Sequence, residues 1–121
     1  MDTIEHPLTG EKIRIAKANF SVIMNWEQAN AACAALGSGW RLPSIEELKE
    51  MYKNKDAIGG FGDFEGYANS EYFSSSESPD RWDSNEEYNY TNRVWELYFF
   101  NGELHDANKN DLCLVRAVKT I

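Results

Sequence analysis

Two short segments, NWEQ at 25–28 and SIEE at 44–47, each place a cap-forming residue three positions ahead of a Gln or Glu and in front of a periodic apolar run. In that pattern the cap side chain accepts the third backbone N–H, and the Gln or Glu side chain reaches back to the cap's own N–H. It marks where a helix starts. After Asn25, residues Trp26, Ala29, Cys33 and Leu36 recur on one helical face until Gly37 stops the helix. After Ser44, residues Ile45, Leu48, Met51 and Tyr52 form an apolar stripe, and Glu46, Glu47, Lys49 and Glu50 are expected to face water. Between the helices runs GSGWRLP, in which Trp40 and Leu42 pack inward and Pro43 holds the chain extended ahead of the second cap. Arg41 has two readings there, contact with a partly buried carboxylate or exposure to solvent.

The rest of the chain reads as strands and loops. Ile13 and Ile15 alternate with Lys12, Arg14 and Ala16, the two-residue period of a half-buried strand. Past the second helix, which ends near YKNKDAIGG, Gly59, Gly60, Gly62 and Gly66 punctuate an aromatic loop. EYFSSS is a short strand whose serines are expected to bond nearby backbone, because no histidine lies close enough in sequence to activate one. SPDRWDSNEEYNYTN has almost no aliphatic residue and reads as an exposed loop. In RVWELYFFNGELHDA, Trp95, Leu97 and Phe99 alternate with Val94, Glu96, Tyr98 and Phe100, and Asn101-Gly102 supplies a tight hairpin turn. LCLVRAVKTI, interrupted by Arg116, suits a central strand buried on both faces. The order implies an α+β fold, two helices packed on a small twisted antiparallel sheet with long irregular loops, in one domain over residues 1–121.

Charge and composition exclude several functions. Twelve Lys and Arg against 20 Asp and Glu give a net charge of -8, and the cations are scattered singly, which repels phosphate backbones and argues against nucleic-acid binding. No apolar run approaches the roughly 20 residues needed to span a bilayer. The N-terminus MDTIEHPLTGEK is neither basic nor apolar, so a soluble chain without membrane insertion is expected, with secretion left open. Cys33 and Cys113 lie too far apart for a local metal or redox motif. They either close a long disulfide loop in an oxidising compartment or sit as two small buried thiols.

The segment NWEQANAACAALGSGWRLPSIEELKEMYKNKDAIGGF, followed by YFSSSE, VWELYFFNGE and LVRAVK, resembles the bacterial family catalogued as domain of unknown function 1566. Its members share a tryptophan helix, a GWRLP-type segment, a YWSSS-type strand, an aromatic strand ending in NG and a closing VRxV strand. The resemblance covers nearly the whole chain. It implies a C-type-lectin-like fold of the variety also used by formylglycine-generating enzymes, and related domains end bacterial collagen-like adhesins. Here Tyr72-Phe73 stands where the family has Tyr-Trp, and Ala117 stands where the terminal strand often has cysteine. Because lectin-like domains commonly join a first-helix cysteine to the last strand, the resemblance also implies a Cys33–Cys113 disulfide.

A non-catalytic module follows from the residues. Formylglycine-generating enzymes resemble one another in a reactive cysteine pair near the C-terminal end, whereas Cys113 lies in an apolar strand that disfavours a thiolate. His6 and His105 read as surface residues. The expected function is recognition of a carbohydrate or protein at a bacterial or phage-associated surface, and the alternative is a structural or protein-interaction domain without sugar binding. The candidate ligand-binding residues are Trp82, Asp83, Asn85, Glu86, Tyr88, Tyr90 and Asn92 in the long loop, with Asn108, Asn110 and Asp111 after the hairpin. Aromatic faces suit sugar rings or protein side chains, and amides and carboxylates give directional hydrogen bonds. Asp83, Asn85, Glu86, Asn108, Asn110 and Asp111 also offer the oxygen donors that Ca2+ prefers, the one cofactor considered. The Glu-Pro-Asn, Gln-Pro-Asp and Trp-Asn-Asp motifs of calcium-dependent sugar-binding lectins are missing.

Overall fold

The computed structural model of the chain describes every residue except 63 and 84–87, and across 81–90 the description is of the backbone. Among the described residues three helices, α1 (Trp26–Ala35), α2 (Ile45–Lys53) and α3 (Lys55–Ile58), accompany nine strands. The strands are β1 (Thr3–Glu5), β2 (Lys12–Ile15), β3 (Trp40–Arg41), β4 (Glu71–Glu77), β5 (Arg81–Asp83), β6 (Tyr88–Tyr90), β7 (Arg93–Tyr98), β8 (Leu104–Asn108) and β9 (Val118–Thr120). Both capping boxes form as the sequence requires. Asn25 accepts the Gln28 N–H at 2.9 Å and donates its own N–H to Gln28 Oε1 at 3.0 Å. Ser44 and Glu47 make the same exchange at 3.2 and 2.8 Å. The turn α3 follows α2 through Asn54 and was not expected.

The strands form antiparallel sheets of order β1-β2-β9-β3, β4-β7-β8 and β5-β6. The β4-β7-β8 sheet separates two apolar clusters. Tyr72, Leu97 and Phe99 pack on one face with Leu48 and Met51 of α2. Phe73, Val94 and Ala107 pack on the other with Ala29 and Cys33 of α1. β7 is therefore central and covered on both sides, which the alternation in the sequence did not specify: Val94 is fully buried and Glu96 is only 6% exposed.

The hairpin after β7 is present, but its loop is longer than an Asn-Gly turn. Tyr98 N–H donates to Glu103 O at 2.9 Å and Gly102 N–H to Tyr98 O at 2.7 Å, leaving residues 99–102 in the loop. The cause is Phe99, which turns into the core with its N–H bonded to Ser70 O. Only Gly102 there has positive φ, 79°, and a Cβ added to it would lie 2.6 Å from Tyr52 Cε2. That ring is itself packed edge-on against Phe99 at 5.4 Å. Gly102→Ala is expected to cost about 1.5 kcal/mol from left-handed strain and overpacking; an unchanged urea midpoint would show that the ring yields freely.

Other expectations are corrected by long-range pairing. The polar stretch read as a loop contains the β5-β6 ribbon, with Trp82 opposite Asn89 and Asp83 opposite Tyr88. The terminal apolar run is a regular strand only at β9, which lies between β2 and β3. Before it, Cys113 bridges Met24 and Leu114 bridges Tyr72, while Val115 and Ala117 enter one cluster and Leu114 and Val118 the other. Leu36, assigned to the buried face of α1, is its C-cap and is 49% exposed. Glu47, assigned to water, is buried against Arg41, which answers the question left open for that arginine. The serines do bond backbone: Ser74 Oγ donates to Trp95 O at 2.6 Å, and Ser76 Oγ accepts the Ile45 N–H, across the register shift in β4.

Cys33 and Cys113 share one core cluster as free buried thiols, so the disulfide implied by the resemblance is not formed in this structure. Cys113 instead donates to Glu96 Oε2 at 3.3 Å. Burial pushes the Cys33 thiol up to about 11, and burial with the Glu96 charge raises Cys113 further.

Candidate functional site

Two of the residues singled out in the sequence, Asn92 and Asn110, meet in one cleft of about 360 Å³. Its other walls are Asn25, Trp26, Glu27 and Asn30 of the α1 start, and Lys109. Backbone bonds join these segments: Trp26 N–H donates to Lys109 O at 3.0 Å, and Lys109 N–H to Asn92 O at 3.2 Å. Asn92 has φ 58°, a left-handed conformation that asparagine tolerates better than most residues and that ends the approach to β7.

The indole of Trp26 is held from both ends. Its Nε1–H donates to Ser74 O at 3.0 Å, which fixes the ring plane, and Lys109 Nζ sits 4.5 Å from the ring centroid. The same ammonium lies 3.5 Å from Glu77 Oε2, so its charge is already balanced. Asn30, on the cleft wall, donates from Nδ2 to Trp26 O one turn back, and its side-chain oxygen accepts no hydrogen bond among the described residues. The side chains of Asn92 and Asn110 make no hydrogen bond among the described residues. The cleft is thus an immobilised aromatic surface ringed by four asparagines, with Glu27 and the Lys109 ammonium also on its wall. Trp26, Asn30 and Lys109 were missed because Trp26 was assigned to the helix's buried face. The available signal was that its nearest neighbours on this face, Ala29 and Cys33, are too shallow a bed for a whole indole.

Of the remaining candidates, Asn108 and Asp111 do not line this cleft. Asn108 and Asp111 close a turn: Asn108 N–H donates to Asp111 Oδ2 at 3.0 Å, and Asn108 Oδ1 accepts the Asn110 N–H at 2.8 Å. Their oxygens serve the backbone, as Asx side chains do in turns. Asp111 faces a different cleft. Trp82, Asp83, Tyr88 and Tyr90 lie on the β5-β6 ribbon, for which the backbone alone is described, and Asn85 and Glu86 fall outside the described residues. Among the described residues, no group of three or more His, Cys, Asp or Glu is arranged to hold a metal ion.

A family profile described as the Lcl C-terminal domain matches residues 9–119, from before β2 to the end of the core. The chain belongs to that family. Among solved structures, this Lcl C-terminal domain is similar to a chain of the complex between botrocetin and a mutant von Willebrand factor A1 domain, at 12% identity and a TM-score of 0.55. It is also similar to botrocetin itself, at 14% identity and the same TM-score. Each match covers 99% of this chain and 97% of the other. The Lcl C-terminal domain therefore has the C-type-lectin-like fold. No curated protein sequence matches the chain.

Proposed function

We propose that the chain is a non-catalytic binding module whose recognition surface is the Trp26 cleft, and that its ligand is a carbohydrate at a bacterial or phage-associated surface. The observation that carries this reading is the Trp26 ring, fixed by its bond to Ser74 and surrounded by Asn25, Asn30, Asn92 and Asn110. A sugar presents one apolar ring face and several hydroxyls, and an aromatic plane with neutral amides matches both. The backbone segments that carry the amides are held together by hydrogen bonds through Lys109, so binding orders side chains and not the chain itself. A non-catalytic role fits the polar groups elsewhere: Ser74 and Ser76 are engaged by backbone, and both thiols are held in the neutral form by burial.

A protein ligand is the second reading, favoured by the likeness to botrocetin in its complex with a von Willebrand factor domain. A glycan array and a protein array probed with labelled chain separate the two. Wild type is expected to mark glycan spots, and Trp26→Ala and Asn92→Ala to lower the signal about tenfold or more, the usual cost of removing an aromatic or polar anchor. Retention of all signal in Trp26→Ala would move the site elsewhere, and protein spots alone would favour the second reading.

A further inference from the structure

A second surface lies at the open end of the β4-β7-β8 sheet, remote in register from the core end of the same face. Pairing sets Glu71 opposite Tyr98 and Glu96 opposite His105. Because directly opposed residues share a face, these four stand on the side that carries Phe73 and Val94 into the core further along. With Asp111, Leu112 and Cys113 crossing over them, Glu71, Glu96 and Tyr98 line a cleft of about 320 Å³. No lysine or arginine lines it among the described residues.

Glu96 sits at the base of this cleft, 6% exposed. Among the described residues, the one hydrogen bond to its carboxylate comes from the Cys113 thiol, a weak donor, and one oxygen receives none. Burial raises its pKa; the Cys113 hydrogen bond opposes that, the charges of Glu71 and Asp111 add to the rise, and His105 lowers it slightly. A carboxylate in such surroundings is costly unless a cation reaches it.

Beside the cleft runs an exposed row of rings. Tyr98 meets Tyr67 edge-on at 5.3 Å and His105 at 4.8 Å, and Tyr67 meets Phe100 at 5.4 Å. Tyr67 is 48% and Phe100 39% exposed. Tyr67 is locked in place, its hydroxyl donating to Glu103 and accepting from Asn101. An aromatic patch of this kind that opens into an anionic pocket suits a side chain that is flat, cationic and rich in donors.

We propose that this face docks a basic segment of a partner protein, with an arginine side chain entering between Tyr98 and the carboxylates of Glu71, Glu96 and Asp111. Charge complementarity selects the occupant. A neutral apolar segment would cover the rings and leave Glu96 uncompensated, and an anionic partner would be repelled by the cleft and by the chain's charge of -8. The guanidinium fork stacks on a tyrosine face while donating to two carboxylates, which an ammonium does less well.

The test uses calorimetry on the whole chain with the peptide acetyl-Gly-Arg-Tyr-Arg-Gly-amide and the same peptide carrying citrulline, a neutral isostere, in place of arginine. The arginine peptide is expected to bind at least about tenfold more tightly, with Glu96→Gln removing most of that difference and Glu5→Gln, at an exposed carboxylate of β1, leaving it intact. Backbone NMR shifts in the wild-type chain should fall on Glu71, Glu96, Tyr98 and Asp111, which keeps the result readable should Glu96→Gln fold poorly. Trp26→Ala should bind the peptide unchanged. Equal affinity for both peptides, no binding at millimolar peptide, or shifts confined to other surfaces would overturn the proposal.

Discussion

Replacing Arg116 by alanine is expected to lower the free energy of unfolding by about 4 kcal/mol, because it opens a cavity and strips hydrogen bonds from buried acceptors together. Arg116 is 2% exposed and is the largest buried side chain among the described residues. Its Nε donates to Ala16 O at 2.6 Å, one terminal nitrogen to Gly59 O at 3.1 Å and the other to Asn19 Oδ1 at 3.4 Å. The guanidinium also lies 4.5 Å from the Phe61 ring centroid. Burial works against its charge and lowers its pKa, so the bonds to the carbonyls are what make a buried guanidinium tolerable. Around it Asn19 Nδ2 donates to the Tyr72 hydroxyl at 2.7 Å, and that hydroxyl donates to Phe61 O at 2.9 Å. One side chain thus ties the segment before β9 to the end of β2 and to the glycine loop. Arg116→Met keeps most of the volume without the donors, so its loss should be smaller, about 2 kcal/mol, the cost of orphaned carbonyls. Urea unfolding measures both. A loss below about 1 kcal/mol in the alanine variant would mean that water satisfies the acceptors as well as arginine does.

Arg116 also shows where sequence reading stops. In LCLVRAVKTI it looked like an interruption of an apolar strand, because its acceptors sit on Ala16, Asn19 and Gly59, which only the fold brings near. The helices were legible because a capping box and an apolar stripe are local, complete within a few residues. β7 was legible as a strand but not as a two-sided one. Trp95, Leu97 and Phe99 alternate with Val94, Glu96 and Tyr98, and nothing local says that a second cluster covers the side bearing Glu96.

The candidate site divides the same way. Asn92 and Asn110 were visible through composition, since amides and aromatics crowd the C-terminal half. Trp26 and Asn30 were hidden by a sufficient local explanation, the helix they begin. They meet the two asparagines because Lys109 accepts from Trp26 and donates to Asn92 through its backbone, a contact between ends distant in sequence. Asn108 and Asp111 carried the right chemistry for a ligand, and their oxygens are taken by a turn. Residue type alone does not separate those cases; the destination of each hydrogen bond does.

Arg41→Ala is expected to cost about 3 kcal/mol at neutral pH, because it leaves the Glu47 carboxylate buried without its cation. Arg41 donates from both terminal nitrogens to the two oxygens of Glu47, at 2.7 and 2.9 Å, and one of those nitrogens also reaches Thr120 Oγ1 at 2.8 Å. The Glu47 side chain is 2% exposed, whereas that of Arg41 is 39% exposed, so water reaches one partner and not the other. Burial by itself pushes the Glu47 carboxyl up. The bonds from Arg41 and Ser44 outweigh it and hold the pKa below its ordinary 4.5. A lowered carboxylate pKa gives stability that is present above 4.5 and is lost as pH falls through the folded value. Glu96 and Glu71, raised chiefly by burial, act oppositely: their contribution is present in acid and fades as pH rises through their folded values. The wild-type and Arg41→Ala curves should therefore stand furthest apart at neutral pH and converge in acid, where protonated Glu47 no longer needs the arginine. Thermal melts of both proteins across that range decide it. A gap that stays constant down to acid would mean that Arg41 acts through its packing against β9 and not through the charge on Glu47.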